Sequence, residues 1–237
     1  TQTTGTFSYS VNNGGTVNAS TGAFDPTANS AGDYTITLNY LDANSCAGTA
    51  SATLTVHALP NVKIDDSNPS EICYNAPAID ITTTVSPTGG TGVWTGTTAS
   101  TSASFNPTSA NETTTITYTY TDEFKCVNSD ETTITKVTVN APNAIPTKTL
   151  LKNAGVLDGT TELTGSASTA GDVLQWMPET GGSVLPSGDN VTTYQTGLGD
   201  SDPAGSYKYA VREYRMVNGK ECYSKDSVIA TLVISEC

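Results

Sequence analysis

Apolar and polar residues alternate in short runs along most of this chain. In the clearest run, Tyr34–Tyr40, every second side chain is Tyr, Ile or Leu, and the residues between them are Thr or Asn. Gly5–Val11 and Thr115–Thr121 alternate in the same way. A period of two indicates strands with one buried face and one solvated face. Because turn residues such as Asn12–Gly15 separate the runs, the pattern predicts short strands joined by tight turns.

Part of this pattern occurs twice. Phe24–Thr27 reads Phe-Asp-Pro-Thr, and Phe105–Thr108 reads Phe-Asn-Pro-Thr. Each segment is followed by an alternating strand and then by an Asp-x-x-x-Cys sequence, which ends at Cys46 in one copy and at Cys126 in the other. The two cysteines are 80 positions apart (126 − 46). A period of this size indicates tandem copies of one structural unit.

The repeat and the spacing of the turns divide the chain into three predicted modules. The first, 1–58, has fewer strands than a sandwich needs, and we expect its first strands to precede residue 1. The second, 59–141, is complete, and the third, 142–237, keeps the same plan with longer loops. Short linkers that end at Pro60 and Pro142 join the modules. Short strands at regular intervals predict an all-β fold of tandem β-sandwich domains.

The charge and the sequence motifs argue against several classes of function. The formal net charge is −13, whereas nucleic-acid binding needs clustered Lys and Arg to neutralise phosphates. No run of about 18 apolar residues is present, so we expect no insertion into a membrane. His57 is the only histidine, and no Gly-x-Ser-x-Gly sequence occurs, so a hydrolase would lack its nucleophile and base. We predict a protein that is not an enzyme and needs no cofactor, with calcium as an open alternative.

Five cysteines are spread along the chain without a Cys-x-x-Cys pair. Zinc sites need closely spaced ligands, so disulfides of an exported protein are the better interpretation. Cys73 and Cys126 are the only two within 59–141. We predict a bond between them, which would close 53 positions (126 − 73) and stabilise the fold by roughly 4 kcal/mol; free thiols are the alternative. The partners of Cys46, Cys222 and Cys237 stay open, and the same spacing would place the partner of Cys46 before residue 1.

Four aspartates are candidate calcium ligands. Asp200 and Asp202 begin a sequence like an EF-hand loop, but the fifth and twelfth residues of that sequence are Ala and Val, where the loop needs a ligand and a glutamate. Asp65 and Asp66 follow the first linker, where a calcium ion could bridge neighbouring modules. In both places a solvated turn is the alternative.

Trp94 and Trp176 are candidate ligand-binding residues, because exposed aromatic rings can stack on sugars. The chain has only 4 Phe and 2 Met, so the same two side chains are also needed to fill thin cores. Core packing is the interpretation that we prefer.

The Phe-[Asp/Asn]-Pro-Thr segments, the strand Thr115–Thr121, the cysteine after it and the Thr-rich strand Thr132–Val139 resemble the tandem immunoglobulin-like repeats of large Bacteroidetes cell-surface proteins. In the third module, Leu174–Trp176 and Glu221–Tyr223 resemble immunoglobulin-like modules found beside gliding-motility or type IX sorting domains. The resemblance covers nearly the whole chain. It implies immunoglobulin-like sandwiches and supplies no catalytic residues.

The function that this resemblance implies is a non-catalytic stalk or adhesive segment of a large secreted adhesin, which serves gliding motility or surface attachment. The implied location is extracellular, exposed on the outer membrane. The expected partners are neighbouring repeats of the same longer chain and surface polysaccharide. The alternative is a carbohydrate-binding module of a secreted polysaccharide-active protein.

Overall fold

The structure is a computed structural model that describes residues 5–181, 183–186 and 188–237. These residues form two compact units. The first unit holds the described residues up to Asp65 together with Thr82–Thr95 and Thr117–Glu131, and the second holds Asp66–Ile81, Gly96–Ile116 and Thr132–Cys237. The predicted module 59–141 therefore contributes to both units, and the three module boundaries stay a prediction. The first four residues of module 1–58 lie outside the described residues.

The N-terminal region folds as an antiparallel meander. Its strands, which hydrogen-bond in the order β1-β2-β3, are β1 (Gly5–Val11), β2 (Gly32–Asp42) and β3 (Ala47–Val56). The register sets Tyr9 opposite Leu38, so the apolar side chains share one face, as the alternation predicts. The segment between β1 and β2 covers one end of this face, where Tyr34 is buried and its ring lies 5.3 Å from that of Phe24.

The strands in the region of the second predicted module belong to three sheets. The strands are β4 (Asn61–Ile64), β5 (Glu71–Cys73), β6 (Ile79–Asp80), β7 (Thr83–Ser86), β8 (Thr91–Thr95), β9 (Ser104–Phe105), β10 (Thr113–Thr121) and β11 (Val127–Val137). One sheet has the order β5-β11-β10-β8, and β4–β7 and β6–β9 form antiparallel pairs. β5 runs parallel to β11. Ile116 and Ile134 are fully buried on the central strands.

The C-terminal region is built on a larger sheet. Its strands are β12 (Lys148–Asn153), β13 (Val156–Leu157), β14 (Glu162–Thr164), β15 (Val173–Pro178), β16 (Thr193–Gln195), β17 (Gly205–Val217), β18 (Lys220–Tyr223) and β19 (Val228–Glu236). The order is β13-β12-β19-β17-β15, with β18 paired to β17, and β14–β16 is a separate antiparallel pair. Leu174, Trp176, Val211 and Leu232 form the centre of its core.

The two Asp-x-x-x-Cys turns have the same hydrogen bonds. Asp42 Oδ1 accepts bonds from the backbone N–H groups two and four residues later, both at 2.8 Å. Asp122 Oδ1 accepts the equivalent pair at 2.9 and 2.8 Å. The third residue after each aspartate has a positive φ, 62° at Ser45 and 70° at Lys125. The repeat in the sequence is therefore also a repeat of local structure.

The all-β class of β-sandwich domains predicted from the sequence is confirmed. Within the described residues the helical content is a 3₁₀ turn at Pro26–Ala28, whose aspartate cap Asp25 accepts the backbone N–H of Thr27 at 2.9 Å. No described helix is long and apolar enough to span a bilayer.

Candidate functional site: a disulfide-stapled junction

The disulfide of this chain joins Cys73 to Cys222, with a Cα–Cα distance of 5.5 Å. The predicted bond between Cys73 and Cys126 is therefore wrong, and Cys126 carries a free thiol. The bonded residues are 149 positions apart in sequence. They lie in the predicted second and third modules and within one compact unit. We call the Cys73–Cys222 bond the staple.

Strand β5 explains why Cys126 does not reach Cys73. β5 pairs in parallel with the C-terminal end of β11, so that Cys73 lies opposite Val137. Cys126 precedes the first residue of β11, 11 positions before Val137 (137 − 126). At about 3.3 Å per residue this is roughly 36 Å along the strand, whereas disulfides need Cα atoms within about 7 Å.

A tight hairpin carries the other half of the staple. β17 and β18 are joined by Asn218 and Gly219, whose φ values are 49° and 74°. Two positive φ angles in succession are typical of the two-residue Asn-Gly hairpin turn. Within β18, Cys222 lies opposite Arg215 of β17, and its side chain is fully buried.

Apolar packing and one backbone contact surround the staple. Val137, Val139, Val217 and Cys222 form a buried cluster, against which Cys73 and Tyr74 pack. The sulfur of Cys222 lies 3.6 Å from the carbonyl oxygen of Val137. The bond is therefore embedded in a small core of its own, which holds the hairpin against β5 and the end of β11.

Polar contacts fix the hairpin tip. The side-chain amide of Asn218 donates to the carbonyl oxygen of Glu71 at 2.6 Å. Arg215 Nε donates to Asp172 Oδ1 at 2.6 Å. This bond is the largest cause that raises the pKa of Arg215 above its usual value, and Glu71 and Glu213 add to the effect. The Arg215 guanidinium is therefore charged and lies near these three carboxylates.

An apolar groove of about 440 Å³ opens beside the staple. It is lined by residues of the β5 region, including Ile72, Cys73 and Pro77, and by Val217 and Glu221 from the hairpin. Lys220 and Glu221 are its titratable lining residues. Within the described chain no group of three or more His, Cys, Asp and Glu side chains could hold a metal. The covalent cross-link beside this groove is the Cys73–Cys222 bond.

The predicted calcium ligands serve the loops in which they lie. Asp200 Oδ1 accepts the backbone N–H of Leu157 at 2.8 Å, and Asp202 Oδ2 accepts that of Gly199 at 2.8 Å. These contacts agree with the alternative interpretation, in which the two aspartates belong to a turn and do not bind calcium. Asp65 and Asp66 each interact within the described structure, and the backbone N–H of Asp65 donates to Thr82 O at 3.0 Å.

Both predicted sugar-stacking tryptophans are buried. Trp176 is 0% exposed, its indole N–H donates to Val191 O at 3.0 Å, and Tyr194 stacks on its ring. Trp94 is 7% exposed and packs against Tyr118. A buried ring cannot stack on a sugar, so the prediction of a sugar-stacking platform made by these two residues is wrong and the core interpretation is correct.

A more exposed aromatic residue was missed by sequence reasoning. Tyr223 is half-buried, and the guanidinium carbon of Arg212 lies 3.6 Å from its ring centroid. Burial lowers the pKa of Arg212, while Glu221 and Asp189 raise it. Alternation along β18 could have indicated that Tyr223 faces away from Cys222.

No protein-family model and no curated protein matches the chain. Solved structures to which it is similar include the protocadherin GammaB4 extracellular domain, at 13% identity and a TM-score of 0.34, where the match covers 97% of this chain and 43% of the other. Fibronectin(III)-like modules of Clostridium thermocellum CbhA match at 14% identity and a TM-score of 0.35, and the match covers 74% of this chain and 95% of the other. The Ig1-2 module of the Drosophila receptor protein tyrosine phosphatase DLAR matches at 12% identity and a TM-score of 0.27, and the match covers 75% of this chain and 100% of the other. All three TM-scores lie below 0.5, so the fold assignment rests on strand order and register.

Proposed function

We propose that this chain is a non-catalytic structural and adhesive segment of a large exported protein, in which cross-linked modules carry binding surfaces away from the cell. The observation that supports this function is the staple. It ties β5 to a hairpin 149 positions later, so a pulling force along the chain is carried by covalent bonds at this junction. Disulfides persist in oxidising, extracellular compartments.

The finer proposal is a surface adhesin of the gliding-motility type in Bacteroidetes, exposed on the outer membrane, with neighbouring repeats as partners. Surface polysaccharide, the other partner that the resemblance implies, would be the ligand of the carbohydrate-binding alternative. The repeat motifs support it through their resemblance to such proteins. The net charge of −13 suits an exposed surface, because like charge keeps neighbouring molecules from associating.

A polysaccharide pull-down separates this function from a carbohydrate-binding module. We expect the purified chain to show no saturable retention on a panel of insoluble polysaccharides, because its two Trp side chains are buried. Tyr223→Ala is the matched variant, since that ring keeps some exposed surface. Saturable retention that Tyr223→Ala abolishes without unfolding would contradict the proposed function and favour the carbohydrate-binding alternative.

A further inference from the structure

The end of β3 and the end of β11 are each contacted by a β-hairpin that lies later in the chain. The ring of Phe124 stacks on that of His57, just past β3, with centroids 3.7 Å apart. At the end of β11, Cys222 approaches Val137 O at 3.6 Å. Val137 follows His57 by 80 positions (137 − 57), which is the period of the repeat. The two strand ends are therefore equivalent positions in the repeat.

The two places differ in what pairs with the strand. Beside β11, strand β5 occupies the edge at Thr135–Val137 and brings Cys73 to Cys222. Within the described residues, β3 is one of the two edge strands of its sheet. Cys126, two residues beyond Phe124, is half-buried and carries a free thiol. The first place thus has an equivalent strand end and, two residues beyond the ring that contacts it, a free cysteine, but in the described part of the chain it has no added strand.

The second place also shows how an added strand binds. Thr135 N–H donates to Ser70 O at 2.9 Å, and Tyr74 N–H donates to Val137 O at 2.9 Å. The equivalent groups of the first copy are Thr55 N–H and His57 C=O. An edge strand is a template for the addition of another strand, with main-chain hydrogen bonds giving affinity and side-chain pockets giving specificity.

The apolar face beside this edge is less covered in the first copy. Ile134 of β11 is 0% exposed, whereas Leu54 at the equivalent position of β3 is half-buried. Further apolar residues from an added segment would therefore remove exposed apolar surface from water.

We propose that the β3 edge at Thr55–His57, together with Cys126, is a docking and disulfide-acceptor site for an extended strand of a neighbouring repeat. The strand runs parallel to β3, carries an apolar residue at the position of Ile72, and carries a cysteine at the position of Cys73. The site would repeat the staple at the strand end that lies one period earlier. This inference rests on the proposed function, because it treats cross-linking of neighbouring repeats as the purpose of the cysteines.

The bond forms by thiol–disulfide exchange. The incoming cysteine is held as a mixed disulfide with a small thiol such as glutathione. The Cys126 thiol loses its proton to solvent, and its thiolate attacks the sulfur of the incoming cysteine. The new S–S bond joins Cys126 to the strand, and the small thiol leaves as its thiolate. Electrons balance without a further oxidant.

A peptide with the sequence of residues 66–76 tests the site, with its cysteine present as the glutathione mixed disulfide. The probe is mixed with the whole chain, whose staple stays closed, and the modified cysteines are identified by peptide mapping. Cys46 and Cys237 are exposed free cysteines and act as internal comparators. We expect attachment at Cys126 to be enriched about tenfold relative to labelling by glutathione disulfide alone, because docking raises the effective concentration of the peptide.

The control peptide has an N-methyl group on the residue equivalent to Ile72, which blocks strand pairing and keeps every side chain. Enrichment at Cys126 that disappears with this peptide supports the proposal. A labelling pattern that matches glutathione disulfide alone, or equal labelling by both peptides, overturns it. Because the assay leaves Cys73–Cys222 closed, its failure would leave the staple and the proposed function standing.

Discussion

Replacing Cys73 by serine and Cys222 by alanine together is expected to lower the free energy of unfolding of the stapled unit by about 2–5 kcal/mol. The bond links residues 149 positions apart, and in the chain-entropy model a loop of that length contributes about 5 kcal/mol by restricting the unfolded chain. Alanine is chosen at position 222 because that side chain is fully buried, and a serine hydroxyl there would add a desolvation cost.

Denaturant unfolding, followed by circular dichroism with and without reductant, measures this loss. Cys46→Ser and Cys237→Ser are matched controls, because both cysteines are exposed and free, and surface changes usually alter stability by less than about 0.5 kcal/mol. Reduced wild-type protein should behave like the double variant. A double variant as stable as the controls would contradict a stabilising staple.

Trp176→Ala is expected to lower the free energy of unfolding by about 3–5 kcal/mol, the range for deleting a buried aromatic side chain. The ring is 0% exposed and stacks on Tyr194 at 5.6 Å. Its loss leaves a cavity among Leu174, Val211 and Leu232, and it leaves the carbonyl of Val191 without its indole donor.

Thermal or chemical unfolding of Trp176→Ala, beside Trp176→Phe, measures this effect. Because phenylalanine keeps part of the buried volume, Trp176→Phe should lower the free energy of unfolding by less than Trp176→Ala does. Met216→Ala is the surface control, because Met216 lies on β17 and is 56% exposed. A loss below about 1 kcal/mol for Trp176→Ala, the size typical of an average substitution, would contradict the core assignment.

Strand positions were predictable because alternation reports burial directly. The run Tyr34–Tyr40 lies within β2, and Thr115–Thr121 lies within β10. The repeat was predictable because the aspartate of each Asp-x-x-x-Cys turn has a local role, accepting backbone N–H groups within the next four residues. Interactions between nearby residues leave a pattern in sequence.

The staple was not predictable in the same way. β5 is three residues long, too short for periodicity to be seen, and it pairs in parallel with a strand more than 50 positions later. Counting cysteines within each predicted module favoured Cys73 and Cys126, because it assumed that each module closes its own bond. Spacing in sequence does not report which end of β11 a short strand joins.

Pulling single molecules from both chain ends tests the mechanical role of the staple most directly. The staple excludes 149 positions from the extensible chain, and at about 3.4 Å per residue this hides roughly 500 Å of contour length. We predict that oxidised wild-type protein extends less than reduced protein by this amount, and that the Cys73→Ser/Cys222→Ala variant extends fully without reductant. Equal extension of the oxidised wild type and the variant would contradict the account.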